Sequence, residues 1–131
     1  MEPVKRDPKS MLPLTPAMFH ILLTLADGDE RHGYSIMQEI KAQTEGKVII
    51  GPTTLYRSLR QMVEHGMIVE TAERPDPALD DERRRYYRLT HFGRQVTLAE
   101  KLRLMQLLAI AEKKKALSSE LPGSPAYGGA S

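Results

Sequence analysis

The stretch that decides the fold runs Gly51-Pro-Thr-Thr-Leu-Tyr-Arg-Ser-Leu-Arg-Gln-Met-Val-Glu-His-Gly66, and Arg83-Arg-Arg-Tyr-Tyr-Arg-Leu-Thr90 follows it after a gap. The first segment predicts a short helix with one apolar face and one basic, hydroxyl-rich face. A strand, a charged loop and a second strand rich in arginine are predicted after it. This order is typical of proteins that place a helix in the DNA major groove and a β-wing beside it, and untypical of enzymes.

Proline and glycine fix the ends of this helix, the third in the predicted chain order. Pro52 suits the first helical position with Gly51 as the cap, and Thr53 is the alternative cap. Gly66 predicts a left-handed residue that ends the helix. Apolar side chains recur at i, i+4, i+7 and i+8, which predicts a buried face. That face consists of Leu55, Leu59, Met62 and Val63.

The opposite face of the third helix carries side chains that can read DNA. Arginine can bridge guanine O6 and N7, glutamine can pair with adenine, and threonine can contact a thymine methyl or a phosphate. We expect Thr54, Arg57 and Arg60 to meet base edges, and the hydroxyl of Tyr56, on the border of the face, to meet a phosphate. An ordinary solvated face is the alternative, and the helix alone favours it. The outward positions are Thr53, Thr54, Arg57, Arg60, Gln61 and Glu64.

Four arginines beside two tyrosines mark the predicted returning strand. Guanidinium groups suit phosphate clamping and insertion into a narrow minor groove, so we expect the first three to bind the DNA backbone. Internal pairing with the acids at 80–82 is the alternative, but the spacing from the third helix is that of a wing and favours DNA. The arginines are Arg83, Arg84, Arg85 and Arg88, and the strands are predicted at Met67 to Thr71 and Arg85 to Leu89.

The remaining elements complete a winged helix-turn-helix. Thr15-Pro16 begins the first helix, and the second helix runs from about Gly33 to Gln43. Thr90 caps a fourth helix that runs to about Leu117. The predicted fold class is mainly α with a small β-wing and a long C-terminal helix. The predicted domains are a mobile arm at 1–12, the winged-helix domain at 13–90, a dimerisation helix at 91–117 and a disordered tail at 118–131.

The composition limits the structural and functional classes to which the protein can belong. The chain has 131 residues, a formal net charge of +2 and no cysteine, so we expect one cytoplasmic domain without disulfides or thiolate metal sites. No leader peptide or membrane span is predicted. The histidines are scattered, and there is no phosphate-binding glycine loop or nucleophile elbow, so we expect no metal, no cofactor and no catalysis. The four histidines are His20, His32, His65 and His91.

Apolar residues lie around much of the fourth helix between Leu98 and Ala111. Packing against one domain requires only a single apolar stripe on the helix. The remaining apolar positions therefore require a second surface that covers them. The same helix of a second subunit is the simplest source of that second surface, which predicts a two-fold homodimer. Charged residues at 100, 101 and 103 argue against a membrane partner. The predicted interface residues are Leu98, Leu102, Met105 and Leu108.

Five short motifs are specific in combination. They are Leu14-Thr15, His32-Gly33-Tyr34, Thr54-Leu55-Tyr56, Glu64-His65-Gly66-Met67-Ile68, and Tyr86-Tyr87-Arg88-Leu89-Thr90 with Gly93 after it. Together they resemble the PadR family of winged-helix transcriptional regulators, in its smaller subgroup with a single C-terminal helix. The resemblance spans roughly residues 14–117. It implies a dimeric repressor whose third helix reads a palindromic promoter site in double-stranded DNA and whose wing touches the backbone or minor groove.

The resemblance also implies roles by position. Thr54 and Tyr56 match the family's contact motif in the third helix. Arg84 and Arg85 match the basic pair before the wing tyrosines. Tyr34, after the glycine of the second helix, is expected to pack the helix-turn-helix.

Two features depart from the family pattern. Arg57 stands where many relatives have proline, so base readout there differs, and the wing loop at 73–82 is long and acidic. Some relatives sense small aromatic or drug-like molecules at the dimer centre, which implies a small apolar or aromatic effector here. The absence of tryptophan excludes a sandwich between indoles. The side chains that could line such a pocket, and that are favoured as plain core, are Met11, Met18, Leu22, Leu102 and Met105.

Two other function classes stay open. The acidic wing loop and the mild net charge favour a winged-helix module that binds protein and not DNA. A ligand carrier or an enzyme requires a formed pocket with convergent polar groups.

Overall fold

The computed structural model describes residues 6–75 and 83–118. Within them the chain is mainly helical with a small three-stranded antiparallel sheet, which confirms the predicted winged-helix fold class. None of the described helices is long and apolar enough to cross a bilayer. The elements are a 3-10 helix at Pro8–Met11, α1 at Pro16–Thr24, β1 at Arg31–His32, α2 at Gly33–Gln43, α3 at Pro52–Glu64, β2 at Ile68–Pro75, β3 at Arg83–Leu89, α4 at His91–Glu112 and α5 at Lys115–Ser118.

The helix ends follow local signals in the sequence. The Thr15 hydroxyl accepts a hydrogen bond from the Met18 amide at 3.1 Å and caps α1, as predicted. The cap of α3 is Gly51, which confirms the first assignment, and the alternative cap at Thr53 is wrong. Gly66 has a φ of +77° just after α3, which confirms the left-handed stop.

The sheet has the order β1-β3-β2, and both pairings are antiparallel. β2 and β3 form the wing hairpin, in which a bulge between Glu70 and Ala72 shifts the register. β1 pairs with the other edge of β3 and places Arg31 opposite Tyr87. This strand was not predicted, because two residues show no alternation and the pairing joins distant parts of the chain.

One hydrophobic core joins α1, α2, α3, the base of the wing and the start of α4. Val63 was predicted to face this core but is 39% exposed. Eight residues at 3.6 per turn place it about 80° around the helix from Leu55, at the edge of the apolar stripe. The other three predicted residues of α3 are buried as expected. The main core side chains are Ile21, Leu22, Leu25, Ile36, Ile40, Leu55, Leu59, Met62, Ile68 and Val96.

The segment before α1 packs on this core. Asp7 caps the 3-10 helix, and its carboxylate accepts a hydrogen bond from the Lys9 amide at 2.9 Å. Met11 and Leu12 pack against buried residues. Part of the segment expected to be a mobile arm therefore lies on the domain, because its two apolar residues reach the core. Residues 1–5 lie outside the described range.

The chain divides into two compact units, one ending at Glu100 and one beginning at Lys101. α4 ends at Glu112 and α5 follows after a short break, where one helix to about Leu117 was predicted. Three consecutive lysines at 113–115 coincide with this break, and cations are favoured beside the free carbonyls of a helix end. β2 continues to Pro75 and β3 begins at Arg83, so the wing strands extend beyond the predicted 67–71 and 85–89. The rest of the loop predicted at 75–82, and the predicted tail beyond Ser118, fall outside the described residues.

Candidate nucleic-acid interface

α3 presents two chemically different faces. The inward residues include Leu55, Ser58, Leu59 and Met62, all of which are buried. No side chain caps the first turn of α3, so its N–H groups are available to a phosphate. The predicted outward residues are all exposed, namely Thr53, Thr54, Arg57, Arg60, Gln61 and Glu64.

Tyr56 lies where α3 meets the start of α2. A Cβ atom built on Gly33 would lie 2.8 Å from the Tyr56 hydroxyl oxygen and 2.9 Å from its Cε1 atom, so the ring packs directly against the glycine. The tyrosine is nevertheless 44% exposed. The contact fixes the phenol beside the open face of α3, which suits a hydroxyl that positions the helix on a phosphate.

His32 ties the start of α2 to the wing. Its Nδ1 atom accepts a hydrogen bond from the Ser35 amide at 3.2 Å, so the imidazole caps α2. The ring also meets Tyr86 of β3 edge-on, with centroids 5.4 Å apart and planes at 83°. The motif at 32–34 predicted a helix start but not this cap, because histidine is not among the preferred capping residues.

Tyr87 connects α3 and the wing electrostatically. Its side chain is buried, and burial raises the pKa of the phenol above its ordinary value of about 10. Glu70 and Tyr56 raise this pKa further, whereas Arg85 and Arg60 lower it. One predicted base-reading arginine and one predicted wing arginine therefore lie near enough to the buried tyrosine to affect its pKa. The sequence pattern did not predict this, because it depends on how β3 meets α3.

β3 carries the predicted arginines out along the wing. Arg85 is exposed. In the β2–β3 register Arg84 lies opposite Arg74, a residue that sequence reasoning did not select. The side chains of 72–84, which include Arg83, Arg84 and the acids at 80–82, fall outside the described part of the wing.

Tyr34 does not pack the helix-turn-helix as the resemblance implied, because it is 55% exposed. The place against Gly33 is occupied by Tyr56, and Ile36 supplies the buried contact of the first turn of α2. Tyr34 instead lines an open groove of about 730 Å³ on α2 and the following turn. The groove is also lined by Met37, Gln38, Lys41, Ala42, Glu45, Gly46, Ile49 and Ile50.

α4 exposes the side chains that were predicted to form a dimer interface. Leu98, Leu102, Met105 and Leu108 are 52%, 58%, 54% and 60% exposed. Among residues 6–75 and 83–118, no three His, Asp or Glu side chains are grouped as metal ligands.

Comparison with protein families gives one match, and it covers most of the winged-helix region. A model described as the transcriptional regulator PadR-like family matches residues 21–99. A search of curated proteins found no match.

Several solved structures share the fold. A transcriptional regulator from Clostridium thermocellum is 26% identical with a TM-score of 0.56, and the match covers 75% of this chain and 90% of that one. A PadR-like transcription factor from Bacteroides fragilis is 22% identical with a TM-score of 0.60, over 78% and 87% of the two chains. A PadR family regulator from Clostridium difficile R20291 is 18% identical with a TM-score of 0.58, over 76% and 97%. At these identities the last two show the fold alone.

Proposed function

Since this chain belongs to the PadR-like family of transcriptional regulators, and is a DNA-binding regulator and not an enzyme, we propose that it is a homodimeric repressor of a palindromic promoter site in the cytoplasm. The observation that carries the proposal is the continuous exposed face of α3, followed directly by a hairpin whose second strand carries the exposed Arg85. A groove-reading helix with a cationic wing beside it is the arrangement that duplex DNA requires.

The roles proposed for α3 and for the wing follow from the chemistry of their side chains. Thr54, Arg57 and Arg60 contact base edges in the major groove, where arginine pairs with guanine. Thr53 and Tyr56 contact phosphates next to the start of α3, and their exposure supports this role.

The wing holds the DNA backbone. Arg83, Arg84 and Arg85 neutralise phosphates and contribute affinity that does not depend on sequence. Arg85 is exposed on β3, which supports an anionic partner for this strand.

The proposed dimer forms through the exposed leucines and methionine of α4. A two-fold pairing of α4 places two copies of α3 on two half-sites, which is why a palindromic site is proposed. A small apolar or aromatic effector is part of the proposal. Leu22 is fully buried and Met18 packs against the core, which favours plain core there, whereas Leu102 and Met105 are exposed and available to an effector.

The test is fluorescence anisotropy with two duplexes, one selected by the wild-type protein from a randomised library and one with the same bases shuffled. Arg60→Ala is expected to lose about 1–3 kcal/mol on the selected duplex only. Arg84→Ala is expected to weaken both duplexes alike and to lower the salt slope by about one. Equal losses on the two duplexes for Arg60→Ala would remove it from base readout.

The groove that contains Tyr34 and Ile49 favours a second candidate, a winged-helix module that binds protein and not DNA, because Ile49 is 71% exposed. A salt titration separates the two. Binding to random duplex that is insensitive to salt contradicts the DNA proposal, since phosphate neutralisation releases counterions.

A further inference from the structure

We infer that Arg6 is a positioning residue for the DNA-reading helix. It joins the C-terminal end of α3 to the first turn of α4. The inference rests on the proposed function for its consequence on DNA, but the contacts that carry it are independent of DNA.

The guanidinium of Arg6 makes two contacts with different elements. Its Nη2 atom donates a hydrogen bond to the carbonyl oxygen of His65, the residue that caps the end of α3. Its Cζ atom lies 4.3 Å from the centroid of the Phe92 ring, in the first turn of α4. The last carbonyls of a helix lack partners within the helix and carry partial negative charge, so a cation with several donors is favoured there. The ring face of Phe92 favours the same cation.

The guanidinium of Arg6 lies directly over Gly66. A Cβ atom at this position would lie 2.7 Å from the Arg6 Nη2 atom, the far end of a flexible side chain. Gly66 takes the left-handed conformation that ends α3, and its lack of a side chain lets the guanidinium reach the His65 carbonyl without shifting.

Thr90 completes the same junction from the interior. Its hydroxyl lies 2.6 Å from the Gly66 carbonyl oxygen and 3.0 Å from that of Met67, and it accepts a hydrogen bond from the Gly93 amide at 2.9 Å. A Cβ atom at Gly93 would overlap the Met67 carbonyl oxygen, so α4 starts against the chain that leaves α3. Arg6 closes the outer side of this junction.

The contacts of Arg6 bear on the orientation of α3 relative to DNA. Base readout requires side chains to be held within about 0.5 Å of the productive geometry. Loss of Arg6 frees the last turn of α3 and its angle to α4, which displaces Arg60 from base edges. The proposed phosphate contacts tolerate such a shift, because those of the wing are carried by β3 and those of Thr53 and Tyr56 lie at the start of α3, at its other end from Arg6. Removing Arg6 should therefore reduce specific affinity and leave non-specific affinity unchanged.

The experiment uses the full chain as wild type, Arg6→Ala, Arg6→Lys and Lys9→Ala. Lys9 is exposed on the same segment, so its loss is a matched removal of one positive charge. Anisotropy with the selected and shuffled duplexes should show a loss of about three- to tenfold for Arg6→Ala on the selected duplex, typical of residues that act without touching the ligand. The shuffled duplex and Lys9→Ala should show no change. Arg6→Lys should recover only part of the loss, because ammonium lacks the planar fork.

Hydrogen exchange of the amides at 62–67 gives a readout without DNA. Exchange should accelerate in Arg6→Ala and not in Lys9→Ala. Unchanged exchange together with unchanged affinity overturns the inference, and equal losses on both duplexes also overturn it, because they mark a plain charge contribution. If Arg6→Ala fails to fold, Phe92→Leu keeps an apolar side chain while removing the ring face, and is expected to give the same duplex selectivity of loss. If the wild-type protein does not bind DNA, only the proposed function is refuted. The hydrogen-exchange result still tests whether Arg6 holds the end of α3.

Discussion

At the scale of single residues, Gly33 determines how closely α2 and α3 approach each other. Gly33→Ala forces the new methyl against the Tyr56 ring, where the nearest atoms would be 2.8–3.0 Å away. We expect a stability loss of about 1–3 kcal/mol, the usual cost of overpacking. Urea unfolding measures it, and anisotropy should show weaker DNA binding because the tyrosine is displaced.

The Tyr56→Ala background is the control for this substitution. Without the ring the alanine methyl has free space, so Gly33→Ala should cost nothing there and the double-mutant cycle should show strong coupling. Equal costs of Gly33→Ala in both backgrounds would mean that the glycine is needed for its own backbone and not for the tyrosine.

Tyr87 predicts a pH dependence. Burial raises the pKa of its phenol in the folded state, so the unfolded chain loses this proton first as pH rises. The stability from the neutral phenol is present below the unfolded pKa of about 10 and is lost as pH rises above it. Wild-type protein should therefore lose more unfolding free energy between pH 8 and pH 10.5 than Tyr87→Phe, in urea titrations that include Tyr34→Phe as the exposed control. A Tyr87→Phe curve that falls as steeply as wild type contradicts this assignment.

At the scale of elements, what the sequence could predict depends on the range of the signal. Thr15, Gly51 and Gly66 mark helix ends through contacts within a few residues, so all three were assigned correctly. The cap by His32 is equally local but was missed because histidine is not a preferred capping residue, whereas the pairing of β1 with β3 joins distant parts of the chain that no local pattern connects.

In the candidate site, too, the sequence predicts the local features and not those that depend on how elements meet. The exposed side chains of α3 follow from helical periodicity, so their placement was predictable. The packing of Tyr56 on Gly33, the exposure of Tyr34 and the burial of Tyr87 depend on the angles between elements, which periodicity does not determine. The opposition of Arg74 and Arg84 likewise required the register and its bulge.

The Thr90 hydroxyl stabilises the junction of β3 and α4. Thr90→Val keeps the shape of the side chain but removes the hydroxyl, which accepts a hydrogen bond from the Gly93 amide and donates one to the Gly66 carbonyl. We expect a loss of about 1–2 kcal/mol, because a capping acceptor is lost and a part-buried carbonyl loses its donor. Urea unfolding is the measurement. Thr90→Ser retains the hydroxyl and should recover most of the stability, and a serine variant as unstable as the valine variant would argue against the cap.

At the scale of the whole molecule, affinity for DNA cannot come from total charge, which is only +2. It must come from the local grouping of arginines on α3 and β3, and, in the proposed dimer, from the presence of two such groups. The salt dependence should therefore follow the number of wing contacts and not the net charge.

The dimer itself is the last prediction. Leu98, Leu102 and Met105 recur at i, i+4 and i+7 on α4 and are all exposed in the single chain. The double substitution Leu102→Gln with Met105→Gln keeps good helix formers while removing the apolar contact, so sedimentation should show a monomer with unchanged helicity. Affinity for the selected duplex should fall at least about a hundredfold, since two linked half-site contacts become independent. Lys101→Gln on the same helix is the matched control and should remain dimeric. A dimer that persists in the double variant would place the interface elsewhere, and a monomeric wild type at micromolar concentration would leave the apolar surface of α4 to the effector or to another protein.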